Sequence, residues 1–188
     1  MEIVASSGVG YDTIDLSSCA ENGIVVTNTP DVLTDDVADM ALGLIIATRR
    51  NMVKGDAYVR SGDWGRKGPM DLTSAVRGKR VGIVGLGRIG LAIAKRCEPF
   101  GLEVGYTARR PRKEVPYVYF GDRLDLAEWS NILVVAVPGG SETRGLIDAS
   151  VIEVIGADGT FVNISRGSVG SRPIDFGPLA CFRLRKET

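Results

Sequence analysis

Apolar positions along the 188-residue chain follow two rhythms, one of short unbroken runs and one of residues three and four apart. The runs Ile3–Ala5, 24–27, Arg80–Val84, Glu103–Thr107, 132–136 and 160–164, with a short piece at 117–120, have the length of strands and, in most cases, the β-branched content of buried ones. Ile89, Ala92, Ile93, Cys97 and Phe100 recur at helical spacing and predict a helix over 88–100. Shorter helices are expected at 124–130 and Ala149–Ile155, the latter capped by Asp148 and closed by Gly156. From Lys79 onward strands alternate with helices, which predicts right-handed crossovers and a parallel sheet covered on both faces.

The first 29 residues hold only two strands around one helix (13–21, closed by Asn22-Gly23), too little for a stable unit. They are expected to be the tail end of a larger domain whose beginning is missing. After Pro30, Thr34 is placed to cap a long helix with Asp35 and Asp36 in its first turn, at the positive end of the dipole. Val37, Met40, Ala41, Leu44, Ile45 and Thr48 form one apolar face and Ala38, Leu42 and Ile46 a second. A helix buried on two sides fits a wedge between two domains or the middle of one large core. Residues 62–70 read as loop, and Trp64 and Trp129 as packing anchors.

Composition removes several function classes. Twenty-three basic and 23 acidic residues give zero net charge, so no global field draws the chain to nucleic acid or to an anionic membrane. No run of about 18 apolar residues is present to span a bilayer, and the first residues lack the pattern of a signal peptide. Three widely spaced cysteines without a C-x-x-C pair point to reduced thiols and a cytosolic location. With no histidine, Ser-His-Asp and Cys-His catalysis are excluded, and no metal site is expected.

Chemistry concentrates where the run Val81 to Val84 breaks into Gly85-Leu86-Gly87-Arg88-Ile89-Gly90 and enters a helix. Strand, G-x-G-x-x-G and helix in that order make a dinucleotide site. Gly85 permits the tight turn, Gly87 lets backbone approach a pyrophosphate, and Gly90 lets helix and strand pack closely, while the free amides at the helix start, through Arg88 and Ile89, face the phosphates. The plain alternative is a glycine turn that binds nothing. About 20 residues on, where an acid would take the ribose hydroxyls of NAD, the chain reads Ala108-Arg109-Arg110-Pro111-Arg112. Arg109, Arg110 and Arg112 offer bidentate donors to a 2′-phosphate, so NADP(H) is favoured and NAD(H) is the lesser candidate; a solvated basic turn is the alternative.

With these come Ser7-Gly8-Val9-Gly10-Tyr11-Asp12, the stretch Asn28-Thr29-Pro30-Asp31 through Asp39, Val135-Ala136-Val137-Pro138 and Asn163-Ile164-Ser165-Arg166-Gly167. In these motifs the chain resembles the D-isomer-specific 2-hydroxyacid dehydrogenases, and within them the glyoxylate/hydroxypyruvate reductase branch that includes plant hydroxyphenylpyruvate reductases. The resemblance implies an α/β fold: a Rossmann-like doubly wound parallel sheet over 30–168 that includes the long interdomain helix, preceded at 1–29 by the remnant of a flavodoxin-like substrate domain. It implies reduction of a small 2-oxo acid by NADP(H), and a homodimer in the intact family. By the same resemblance Val9 and Gly10 would hold the substrate carboxylate and keto oxygen through backbone amides. Arg166 would be the catalytic arginine, pairing with that carboxylate and polarising the carbonyl. Val137 and Pro138 would lie by the adenosine half of the cofactor and Ile164 by the nicotinamide.

The family continues past Arg166-Gly167-Ser168 into a helix and two strands that bring a glutamate and a proton-donating histidine. Here residues 169–188 diverge, with Pro173, Pro178, Gly170 and Gly177 fitting no helix. The chain is therefore expected to be truncated at both ends, with the parallel sheet incomplete at its C-terminal edge unless the stretch Ile174 to Phe182 folds back over it. Two other readings stay open. One is a non-catalytic nucleotide-binding fragment that interacts with full-length paralogues, favoured by the missing histidine. The other is an adenosylhomocysteinase-like enzyme, which the Asn163 to Gly167 motif disfavours.

Overall fold

The computed structural model describes residues 1–171 and the backbone of Ala180–Arg183. The elements run β1 (Ile3–Ala5), α1 (Leu16–Glu21), β2 (Val25–Thr27), α2 (Thr34–Arg49), α3 (Met52–Arg60), α4 (Asp63–Lys67), β3 (Arg80–Val84), α5 (Arg88–Cys97), β4 (Glu103–Thr107), β5 (Val118–Tyr119), α6 (Arg123–Trp129), β6 (Ile132–Val135), α7 (Ala149–Ile155), β7 (Thr160–Asn163) and β8 (Ala180–Arg183). Two sheets result. β1 and β2 pair in parallel by themselves, and a second sheet has the order β5-β4-β3-β6-β7-β8.

This is the expected Rossmann-like arrangement. From β3 the chain moves outward through β4 and β5, then returns to lay β6 and β7 on the other side of β3, so the order reverses at the C-terminal end of β3. Ligand crevices of doubly wound sheets open at that kind of point. The parallel run ends at β7 as expected. Beyond it β8 pairs antiparallel, Phe161 opposite Phe182, so the edge of β7 is covered by the backbone of the tail. Residues 172–179 of the tail lie outside the described residues.

Period-2 alternation accounts for the core. Val81 and Ile83 of β3, Ile132 and Val134 of β6 and Val162 of β7 pack on one face with Ala38, Ala41 and Ile45 of α2 and Ile93, Ala94 and Cys97 of α5. Val84, Leu133, Val135 and Phe161 pack on the other with Leu126 and Ala127 of α6 and Val151 and Ile155 of α7. Gly82 has room for no side chain, because a Cβ there would lie 2.1 Å from Ser130 Oγ.

Several local expectations need correction. α1 starts at Leu16, because Asp15 caps it by accepting from the Ser18 amide at 2.9 Å. Thr34 is the first residue of α2 and its side chain caps nothing. The buried stripe of α2 is Ala38, Ala41, Ile45 and Arg49, which packs on α5 and β7, while Met40 is 51% exposed. Arg49 is buried: its Nε donates to the Ala75 carbonyl at 3.2 Å and its Nη1 to Thr160 Oγ1 at 3.3 Å, tying α2 to β7. Residues 62–70 contain the helical turn α4 rather than loop alone, with Asp63 pairing to Arg66 and Lys67. Trp64 on that turn is 54% exposed and not the buried anchor expected, whereas Trp129 packs on Phe120 with ring centroids 5.4 Å apart. Among the described residues no helix is long and apolar enough to cross a membrane, and no group of three or more Cys, Asp or Glu could hold a metal.

Candidate active site

The glycine turn sits at the reversal point. Gly85 takes φ +96°, a left-handed value open to glycine, and a Cβ on it would lie 2.7 Å from the Ala136 carbonyl. A Cβ on Gly90 would stand 2.0 Å from the Gly85 carbonyl, so helix and turn touch through that missing side chain. Gly87 differs: a Cβ there meets nothing within 4 Å. It caps α5 in an extended conformation, and the first intrahelical bond is Leu91 N–H to the Gly87 carbonyl at 2.9 Å. The amides of Arg88, Ile89 and Gly90 precede that bond and have no partner within the helix. Two glycines are filled by neighbouring backbone and the third fronts open space before a helix N-terminus. A dinucleotide pyrophosphate fits that cradle.

Arg88 itself turns away from the cradle to pair with Asp31, Nε to Oδ1 2.9 Å, joining α5 to the segment before α2. The three arginines after β4 have different fates. Arg112 is drawn back, its Nη1 donating to the Leu86 carbonyl at 2.8 Å and its Nε to Glu114, while its amide donates to the Tyr106 hydroxyl at 2.7 Å. It braces the glycine turn. Arg110 is exposed and has no ion pair among the described residues. Arg109 is exposed and pairs with Glu142, which comes from the turn Ser141–Thr143 beyond β6. Ala108 and Ile164 are half-buried against the core.

At the C-terminal ends of β6 and β7 a polar network fixes the backbone. Ser165 Oγ donates to the Val135 carbonyl at 3.1 Å and accepts from the Val137 amide at 2.9 Å. Asn163, buried, accepts from the Ser165 amide at 2.9 Å and donates to the Arg166 carbonyl at 3.0 Å. The motif from Asn163 to Arg166 is thus a brace that locks the loop after β7 to Val137-Pro138 after β6. It aims Arg166 at the N-terminal loop. There the guanidinium grips Asp12 with two bonds, Nε to Oδ2 and Nη2 to Oδ1, both 3.1 Å. This pairing holds the Asp12 carboxyl below the usual carboxylate range.

Gly10 lies under the same guanidinium, since a Cβ on it would be 2.3 Å from Arg166 Nη2. A Cβ on Gly139 would be 2.8 Å from the Asp12 carboxyl carbon. The loop bearing Val9 and Gly10 is held by Asn28, whose Nδ2 donates to the Val9 carbonyl at 2.9 Å, and by Thr29, whose Oγ1 donates to the Ser7 carbonyl at 3.0 Å. The backbone at Gly85 thus lies close to Val137, and that at Gly139 and Gly10 close to the Asp12–Arg166 pair.

Of the residues expected at the site, the fold brings Gly10 against Arg166, while the glycine turn stands at the end of β3 in the same sheet. Sequence reasoning gave no role to Asp12, Glu142, Asn28 or Gly139. Asp12 closes the motif Ser7–Asp12, and a carboxylate beside two glycines is the signal of a cationic partner. Glu142, 33 positions from Arg109, carried no local signal.

The family profile described as "D-isomer specific 2-hydroxyacid dehydrogenase, NAD binding domain" matches residues 42–173. Glyoxylate/hydroxypyruvate reductase A of Arabidopsis thaliana is 52% identical over 167 residues, 89% of this chain and 53% of that protein. Hydroxyphenylpyruvate reductase of Plectranthus scutellarioides is 50% identical over the same shares. Among solved structures, an NADPH-dependent glyoxylate/hydroxypyruvate reductase from Sinorhizobium meliloti, in complex with NADP and malonate, superposes with a TM-score of 0.89 at 44% identity, covering 93% of this chain and 55% of that one. The chain spans about half the length of the curated relatives it matches.

Proposed function

The chain belongs to the D-isomer specific 2-hydroxyacid dehydrogenase family, and we propose that it carries the nucleotide-binding part of an NADP-dependent 2-oxo acid reductase of the glyoxylate/hydroxypyruvate kind. The observation that carries this reading is the Arg166 guanidinium held by Asp12 against Gly10, after β7, in the same parallel sheet whose β3 ends in the open glycine turn. It puts an anion-holding pair and a nucleotide turn on one sheet.

In this reading the amides of Arg88, Ile89 and Gly90 take the pyrophosphate, and Ala108, Arg109 and Arg110 surround the phosphorylated ribose. Arg112 shapes the turn from behind, Val137 and Pro138 wall the adenosine, and Ile164 lies beside the nicotinamide. A bound nicotinamide dinucleotide supplies the hydride for the keto carbon. Arg166 binds the substrate carboxylate and polarises the carbonyl, with the Val9 and Gly10 amides as further donors. Asp12 positions Arg166: two parallel bonds to its carboxylate and a third from Nη1 to the Ser165 carbonyl at 3.3 Å fix the plane of the guanidinium, and one N–H on each of Nη1 and Nη2 is left for substrate. The homodimer expected of the family fits the exposed Met52, Val53 and Trp64, and a cytosolic setting fits the unpaired Cys19 and Cys97. One observation favours the second reading, a nucleotide-binding fragment without turnover: the chain contains no histidine.

The test is a fluorescence titration of the 188-residue chain with NADPH and NADH. NADPH should bind more tightly, and Arg109→Ala should remove about 1.5–3 kcal/mol of its binding, the worth of a charge-assisted bond. Equal affinities that Arg109→Ala leaves unmoved would refute the cofactor assignment.

A further inference from the structure

The fold supplies at the ribose end of the crevice the carboxylate that the end of β4 lacks. β4 and β6 flank β3 on opposite sides. Arg109 follows β4 and Glu142 lies in the turn after β6, so their ion pair crosses above the C-terminal end of β3 and joins the two rims of the crevice. Arg109 Nη2 donates to Glu142 Oε2, and both side chains are largely in solvent, 84% and 75% exposed. No other carboxylate pairs with Arg109, and Arg110 beside it has no ion pair among the described residues.

We propose that Glu142 competes with the 2′-phosphate of a dinucleotide for Arg109, and so sets how strongly this chain prefers the phosphorylated cofactor. The inference rests on Arg109 receiving that phosphate. A 2′-phosphate brings close to two negative charges, as phosphate monoesters do near neutral pH. To reach Arg109 it must break the pair with Glu142 and then sit near the displaced carboxylate. A ribose 2′-hydroxyl faces neither cost, and Glu142 can accept a hydrogen bond from it. The same side chain therefore taxes NADPH and tolerates NADH. Because an exposed pair of this kind is worth a fraction of a kcal/mol up to about 1, the tax is about two- to five-fold in affinity.

The experiment compares the 188-residue chain with Glu142→Gln, Arg109→Ala and the double variant. NADPH and NADH are titrated at low ionic strength and again near 1 M salt, where the Debye length is about 3 Å. Both positions are exposed, and unchanged thermal melts establish that each variant is folded. Glu142→Gln should bind NADPH about two- to five-fold more tightly with NADH unchanged; the gain should shrink in high salt and vanish on the Arg109→Ala background. If Glu142→Gln leaves NADPH binding unmoved while Arg109→Ala weakens it, the competition is refuted and the cofactor reading stands. An equal gain for NADH and NADPH would also overturn it, because Glu142 would then act on the whole crevice rather than on the 2′ position. If Arg109→Ala has no effect on NADPH, both fall together.

Discussion

The two sheets of this chain are built from strands of similar apolar content that end in opposite states of burial. Ile3 in β1 and Val25 in β2 are 56% and 58% exposed, and α1 beside them buries no residue. Val81, Ile83, Leu133 and Val134 in the larger sheet are fully buried, because α2 and α5 cover one face and α6 and α7 the other. An apolar run announces a strand, while burial depends on what the rest of the chain lays over it. The small sheet is fastened by polar ties instead: Asn28 to Val9, Asp12 to Arg166 and, close by, Asp31 to Arg88. The glycine turn thus rises from the buried core, and the loop bearing Val9 and Gly10 from the part held by hydrogen bonds and ion pairs.

The sharpest way to probe this contrast is turnover. Arg166 is braced by buried Asn163 and Ser165, but neither is a titratable proton donor. The chain has no histidine, Cys97 is buried in the core with its thiol pushed up to about 12, and Tyr11 is half in solvent. A positioned general acid contributes about 10²–10⁴-fold. The 188-residue chain should therefore reduce hydroxypyruvate or glyoxylate at least about 100-fold more slowly than a full-length reductase, followed as NADPH oxidation by absorbance. Comparable turnover that Arg166→Ala abolishes would reveal a donor within this chain.

Next in size is stability. Leu133→Ala removes a fully buried side chain between α6 and α7 and should cost about 2–5 kcal/mol in chemical denaturation. Val25→Ala in the small sheet should stay within about 0.5 kcal/mol. Similar losses at the two sites would mean that the small sheet is covered in solution.

The smallest effect concerns the tie between the two regions. Arg166 keeps the Asp12 carboxyl below its ordinary range in the folded chain, so Asp12 stays ionised to lower pH there than when unfolded. The stability it adds is complete above its unfolded value, near pH 4, and is lost as pH falls through its folded one. Asp12→Asn should destabilise the chain by about 0.2–1 kcal/mol at pH 7 and by less near pH 3, flattening that part of the profile. A profile unchanged by the substitution would mean that the pair does not hold the loop.

The sequence alone determined the parallel strands, the helices between them and the glycine turn, because each is written in local periodicity and in residues whose conformational freedom or bulk acts where they stand. Gly85 and Gly90 are such cases: positive φ at one and close backbone contact at the other follow from strand, turn and helix being contiguous. The phase of α2 is not legible in the sequence, and Met40 stands in solvent, because apolar residues encircle that helix and its neighbours α5 and β7 select the inner face. That the tail could fold back over β7 follows from the open edge and not from any strand signal in the tail, since an antiparallel partner is chosen by an open edge and not by propensity. Arg49 on Thr160, Arg166 on Asp12 and Arg109 on Glu142 join residues 111, 154 and 33 positions apart. Charges read along a chain say only that partners are needed. Which partner each one meets was decided by the tertiary structure, where strand order brings distant loops to the same rim and pairing falls off steeply with distance.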